Sequence, residues 1–324
     1  RGLKRVAADF AGEVDPPRCA PDTGKKIAIL GGGPGGLSAA YYLQLMGHQT
    51  TVYEMLPKLG GMLRYGIPNY RLPKDRLDDD IRAILKTGVQ VKNGLKIGQD
   101  ITIQQLRQEY DVVLITIGAS TDKKLGLENE DADGILSAVQ FLRNVGKNQI
   151  MDLTGKEVAV IGGGNVSMDA VRTAKRLGAK KVSIVFRRRV ADMTALPEEI
   201  EGAVAEGIEL QTLKAPASID VDENHHVKGI YVTPQMVSSI RDGRASIKPT
   251  GEEDIYIPCD VLIVAIGQNI ETHHFEQAGI PVERGKIVTK STGAFENLPG
   301  VFAGGDCASG PASVIKAIAA AKVV

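Results

Sequence analysis

Two glycine clusters carry most of the chemistry this sequence could support. The first, Gly31-Gly32-Gly33-Pro34-Gly35-Gly36, follows the apolar run 26–30 and sets Gly31, Gly33 and Gly36 at a G-x-G-x-x-G spacing. That spacing suits a pyrophosphate. Gly31 permits a sharp strand-to-helix turn, Gly33 lets a phosphate reach the backbone, and Gly36 lets the helix close onto the strand. A helix starting at Pro34-Gly35 would offer free N–H groups and partial positive charge. Glu54 stands 18 residues after Gly36, at the end of the next apolar run. A carboxylate there can accept hydrogen bonds from both ribose hydroxyls of an adenosine.

The second cluster begins at Gly162, 131 residues after Gly31, and reads Gly162, Gly164, Ser167. A small serine replaces the third glycine and still permits fairly close packing. Here the next strand ends without an acid, in Phe186-Arg187-Arg188-Arg189. A carboxylate at that place would repel a 2′-phosphate, whereas a guanidinium can pair with it bidentately. Arg187 and Arg188, nearest the strand end, are the expected partners. The acid-ended site suits FAD as a resident redox group, and the arginine-ended site suits diffusible NADPH. Hydride would then pass from nicotinamide to flavin N5 where the rings meet.

These residues need elements to hold them. Residues 26–30 and 50–54 read as strands around a helix at 37–46 closed by Gly47. Residues 157–161 and 181–186 repeat the plan around a helix at 165–177 closed by Gly178. A further echo pairs 112–117 with 261–266, apolar strands stopped by Gly118 and Gly267. A large unit has therefore been used twice, at a period too long for a solenoid. The stretch 208–257 differs: short strands at 208–213, 227–232 and 245–249, with an Asp242-Gly243 turn, predict an antiparallel meander. The combination predicts an α/β fold. The expected organisation is an arm at 1–24, an FAD-binding domain at 25–122 and 265–324, and an NADPH-binding domain at 123–264.

Composition narrows the alternatives. At 324 residues the chain has room for two domains. Its 39 basic and 39 acidic residues cancel, which gives no case for nucleic acid or a membrane surface. The longest apolar runs are strand-length, too short to span a bilayer. Cys19, Cys259 and Cys307 are far apart, with no metal-binding or disulfide spacing, and favour a reducing, cytoplasmic setting. The five histidines (His48, His225, His226, His273, His274) lie in polar stretches and read as surface residues, and no nucleophile–base set is visible. The chain opens at Arg1 without Met and stops inside the helix-favouring run 317–324, so it is expected to be a piece of a longer polypeptide.

The motif order, completed by Gly304-Gly305-Asp306, resembles the glutathione-reductase type of flavoprotein with two nested Rossmann-like dinucleotide-binding domains. More narrowly, 58–68 (Lys-Leu-Gly-Gly-Met-Leu-Arg-Tyr-Gly-Ile-Pro), Arg71-Leu72-Pro73-Lys74, and Phe186-Arg187-Arg188 with Met193, Ala195 and Pro197 resemble the small (beta) subunits of NADPH-dependent glutamate synthases. The likeness runs from about Lys4 onward. It implies that Gly31, Gly33, Pro34, Gly35, Gly36, Glu54, Gly61 and Arg64 hold FAD, with Ile67 near the flavin ring and Thr116 and Gly118 on the dinucleotide. It also implies Gly305 and Asp306 at the ribityl chain, and Ser313-Val314 placing a helix N-terminus near the flavin carbonyl. Gly162, Gly164, Asn165, Val166, Arg187, Arg188 and Gly267 would hold NADPH.

The resemblance implies an N-terminal [4Fe–4S] domain, expected to lie upstream of Arg1 or in another polypeptide, since Cys19 alone cannot ligate a cluster. Where disulfide reductases have a C-x₄-C pair, this chain has Leu59-Gly60-Gly61-Met62-Leu63, so thiol–disulfide exchange is not expected. Cys307 reads as a packing residue. The resemblance implies a module passing electrons from NADPH through FAD and iron–sulfur clusters to a larger catalytic subunit. The alternatives are a self-contained NAD(P)H oxidoreductase of the dihydropyrimidine dehydrogenase flavin type, or a scaffold without FAD.

Overall fold

A computed structural model describes residues 2–12 and 14–324. The chain divides into two compact units. One comprises Arg1–Arg64, Asn69–Ser120 and Asn269–Val324, and the other Tyr65–Pro68 and Thr121–Gln268.

The first unit is built on a five-stranded parallel sheet in the order Val301–Ala303, Val112–Ile115, Lys26–Leu30, Gln49–Glu54, Gln90–Asn93. The central strand Lys26–Leu30 reads as a continuous apolar run because both faces are covered. Ala28 and Leu30 pack with Val113, Ile115 and Phe275 on one face, and Ile27 and Ile29 pack with Leu37, Ala40 and Leu77 on the other. Truncating a residue as enclosed as Ile29 to Ala would cost about 2–5 kcal/mol.

The second unit repeats this sheet: Ile135–Ser137, Val261–Val264, Glu157–Ile161, Lys181–Phe186, Glu209–Thr212, again all parallel. The glycine-bearing strand is central in both. Each is joined to its neighbour through a twelve-residue helix, Pro34–Leu45 and Asn165–Arg176.

Two expectations are corrected. The segment 208–213 does not belong to the meander: Glu209–Thr212 follows the helix Pro197–Ala205 and pairs parallel with Lys181–Phe186 as the sheet's edge strand. The antiparallel part is instead Lys214–Val221, Val227–Arg241, Arg244–Pro249 and Ile255–Pro258. Its long strand Val227–Arg241 runs well past residue 232, because its second half pairs with a new strand, Arg244–Pro249. The arm also holds more structure than its prolines suggest. Gly2–Phe10 is a helix, supported by an Arg5–Asp9 pair one turn apart at 2.7 Å. Further on, Ala20 and Thr23 donate backbone hydrogen bonds to the Leu45 and Gly47 carbonyls, which lays the arm along the end of the helix Pro34–Leu45.

Candidate functional site: two glycine cradles

At the carboxyl end of the first sheet, Gly31 receives the chain from its strand with φ +108°. Its N–H donates to the Tyr53 carbonyl at 2.8 Å, and a Cβ on it would fall 2.6 Å from the Thr116 carbonyl oxygen. Gly36 is tighter: a Cβ there would fall 2.0 Å from the Gly31 carbonyl oxygen and 2.7 Å from Thr116 Oγ1. Thr116 clamps this turn, its hydroxyl donating toward the Leu30 and Gly31 carbonyls at 3.1 and 3.3 Å. Gly33 caps the helix Pro34–Leu45 without any side chain, so its first-turn N–H groups have no side-chain cap, the condition under which a helix N-terminus can take an anion.

A second glycine pair packs on the first. Gly60 donates its N–H to the Gly32 carbonyl at 2.8 Å, and Gly61, at φ +50°, brings its Cβ position to 2.7 Å from Gly33 Cα. Glu54 is buried beside them. One carboxylate oxygen accepts the Gly32 N–H and the other the Leu56 N–H, both at 2.8 Å. The acid therefore braces the glycine loop as well as standing at the strand end. A cavity of about 80 Å³ opens here, lined by Gly31, Glu54, Met55, Leu95, Ile97 and Ile117, with the Lys96–Glu271 ion pair also on its wall.

The remaining expected residues of this unit occupy distinct places. Arg64 is buried, its guanidinium bound to the Leu59 carbonyl and the Asp78 carboxylate, so its charge is already paired. Gly118 follows its strand at φ +68° and is half-buried. Gly305, at φ +74°, leads into the short helix Asp306–Ser309 at the same sheet edge, where the Gly304 N–H donates to the Ile115 carbonyl at 3.0 Å. Asp306 Oδ1 is buried without a hydrogen-bond partner, and burial raises that carboxyl above its ordinary value. Ser313 precedes the helix Val314–Ala320, which packs on Pro34–Leu45, with Ala317 against Gly35. Ile67 is half-buried in Tyr65–Pro68, a segment that clusters with the second unit.

The second cradle is the same construction with other fittings. The Gly162 N–H donates to the Val185 carbonyl at 3.0 Å, and a Cβ at Gly162 (φ +145°) would fall 2.4 Å from the Ala265 carbonyl oxygen. Ser167 takes the third-glycine place, fully buried, its Oγ without a partner. Phe186 lies over Gly163, where a Cβ would meet its ring at 2.6 Å. The segment after the arginines folds back on the loop. Thr194 and Ala195 donate to the Gly163 carbonyl at 2.9 and 3.1 Å, and Leu196 N–H donates to Asn165 Oδ1 at 3.0 Å. Gly164 caps the helix Asn165–Arg176 with no side chain, and Val166 is half-buried in its first turn. Gly267 is exposed at φ +133°, close to the stem of Lys123.

The arginines divide. Arg189 is committed to Asp192, with Nε and Nη2 donating at 2.8 and 3.0 Å. This pair and the Ala245 N–H hold the Asp192 carboxyl far below the usual carboxylate range. Arg187 is exposed, and the buried Nε of Arg188 has no hydrogen-bond partner. Sequence reasoning missed Asp192. The available signal was its position three residues after Arg189, the spacing of a local ion pair.

The cysteines are free. Cys307 is fully buried, its thiol pushed up to about 12 by burial and directed at the Gly304 and Ile115 carbonyls. Burial likewise pushes Cys259 up to about 12.

Two parallel sheets, each with its central strand running through a glycine turn into a helix, define an α/β protein with a Rossmann-like plan used twice. The family model described as pyridine nucleotide-disulphide oxidoreductase matches residues 25–321, and the chain belongs to that family. It is 39% identical over 321 residues to the NADP(+)-dependent formate dehydrogenase subunit beta of Moorella thermoacetica, covering 98% of this chain and 45% of that protein. It is 34% identical over 315 residues to the glutamate synthase [NADPH] small chain of Escherichia coli K12, covering 92% of this chain and 66% of that one. The chain thus spans about half to two thirds of these relatives. Among solved structures, Mycobacterium tuberculosis FprA in complex with NADPH superposes with a TM-score of 0.78 at 19% identity, over 94% of this chain and 83% of that one, a likeness of fold. Among the described residues no helix is long and apolar enough to cross a membrane.

Proposed function

We propose that this chain is the NADPH–FAD module of an electron-transferring oxidoreductase of the glutamate synthase small-chain kind, with FAD in the first cradle and NADPH in the second. One observation carries the reading. The same turn is built twice, and the strand beside it ends in a buried carboxylate, Glu54, in one copy and in Arg187-Arg188 in the other. A carboxylate tolerates ribose hydroxyls and rejects a 2′-phosphate, while guanidinium groups select it.

The residues of the first cradle fit FAD. Gly31 and Gly36 permit the tight turn, Gly33, Gly35 and Gly61 keep its outer surface free of side chains beside the Pro34 ring where the pyrophosphate would lie, and the 80 Å³ slot beside Glu54 suits an adenosine edge. The buried, unpartnered Asp306 Oδ1 is an acceptor awaiting a hydroxyl of the kind a ribityl chain carries. Thr116 and Arg64 act here as positioning residues, through the Gly31 carbonyl and the Leu59 carbonyl. FAD, when bound, accepts a two-electron hydride from NADPH and can release electrons singly. The chain needs no general acid for this; it must bind and align.

The identity of the acceptor rests on relatives. The Moorella protein is a subunit of a formate dehydrogenase and the Escherichia protein a small chain of glutamate synthase, which supports a partner subunit as acceptor; a route through iron–sulfur clusters follows from the sequence resemblance alone. The test is anaerobic titration of FAD-reconstituted protein. NADPH should bleach the flavin band stoichiometrically, NADH should do so only at far higher concentration, and turnover should await an added acceptor. Protein that takes up no flavin, or that NADPH leaves coloured, sinks the proposal.

A further inference from the structure

The hairpin Val227–Arg241 and Arg244–Pro249 turns at Asp242-Gly243, both at positive φ. Its tip is anchored to the arginine loop. Arg189 Nη2 donates to the Gly243 carbonyl at 3.3 Å, and the Ala245 N–H donates to Asp192 Oδ1 at 2.9 Å. The two residues flanking Arg244 are thus both fastened to the Arg189–Asp192 pair, immediately after Arg188. At the other end of the loop the Leu213 N–H donates to the Arg188 carbonyl at 3.1 Å.

This anchoring holds Arg244, between Gly243 and Ala245, beside the arginine loop that carries Arg187 and Arg188. Arg244 and Arg187 each disfavour the charge on Arg188, as burial does first, and among the described residues Asp192 is the carboxylate that opposes them. Asp192 is already saturated by Arg189 and by the Ala245 N–H. Arg188 Nε is buried with nothing to donate to. Like charges gathered beside an orphaned donor call for an anion of more than one charge, and a phosphate monoester is such an anion.

We propose that Arg244, carried on the hairpin tip, is a third member of the 2′-phosphate seat and a specificity-determining residue for NADPH, held in place by Asp192. The inference rests on the assignment of NADPH to the second cradle and adds a residue from an element far along the chain. Arg187 and Arg188 reach the phosphate from the strand end, and Arg244 closes the seat from the hairpin.

The test is calorimetric titration of the full chain with adenosine 2′,5′-bisphosphate and, separately, 5′-AMP. Arg244→Ala should weaken the bisphosphate about five- to twentyfold, as loss of one solvent-facing charged contact would. It should leave 5′-AMP within about twofold, since that ligand lacks the 2′-phosphate. Arg244→Lys should recover much of the loss because a point charge remains. Lys248→Ala, which removes a charge from the same hairpin farther from the tip, should change neither titration. Unaltered bisphosphate binding in Arg244→Ala, or equal weakening of both ligands, overturns the inference. Arg188→Ala separates the two levels. If it weakens the bisphosphate while Arg244→Ala does not, only the hairpin's part fails, and if neither does, the NADPH assignment fails with it.

Discussion

Gly61 lies against Gly33 so closely that a Cβ on Gly61 would stand 2.7 Å from Gly33 Cα. Gly61 also sits at φ +50°, a region that side chains enter at a cost of about 1–2 kcal/mol. Gly61→Ala should therefore push the first glycine loop out of shape and weaken flavin retention about five- to thirtyfold. Absorbance of the purified variant against protein concentration measures this. Full flavin content would mean that the loop does not touch the cofactor.

Arg188→Ala should weaken NADPH by about 1.5–3 kcal/mol, or about ten- to 150-fold, with NADH held within about twofold. The comparison is the dissociation constant of each coenzyme by anaerobic titration. A matched loss for both would show that Arg188 supports the loop and does not read the phosphate.

The Asp192 carboxyl is held far below its ordinary 3.8 by Arg189 and the Ala245 N–H. A carboxyl lowered in the folded state adds stability above its unfolded value and gives it up as pH falls toward the folded value. Melting temperature should thus fall more steeply below about pH 4 in the parent than in Asp192→Asn. Above that pH the variant should be the less stable, and the two curves should approach one another in acid. Parallel curves would show that Asp192 contributes no pH-dependent stability.

The thiols of Cys259 and Cys307 are buried and pushed up to about 12, whereas Cys19 is exposed. The thiolate is the reactive form, so an aromatic disulfide reagent at pH 8 should titrate one thiol in the native chain. All three should react in denaturant. Rapid native reaction of more than one would show that the packing around Cys259 or Cys307 opens readily.

Much of this arrangement was legible in the residues. Both central strands, Lys26–Leu30 and Glu157–Ile161, were readable because a strand covered on both faces is uniformly apolar. The glycine turns were readable because φ above zero and close approach leave few other choices of residue. What local pattern did not carry was pairing. Glu209–Thr212 looks like one more short strand of a meander, and only the preceding helix makes it the parallel edge. The outer half of Val227–Arg241 is exposed and irregular, so its partner strand, not its composition, sustains it. Arg244 lies 55 residues beyond Arg189 in the chain, and no local rule joins it to the arginine loop.

The repeated turn lets the polypeptide act as its own yardstick. Gly31 and Gly162 meet the same obstacle, a carbonyl at the end of the neighbouring strand, at 2.6 and 2.4 Å. Alanine at either one inflicts a comparable local injury, yet only one compartment of the molecule receives it. Any property that suffers equally from both lesions belongs to the shared architecture. Any property that suffers from one alone belongs to the guest that compartment houses.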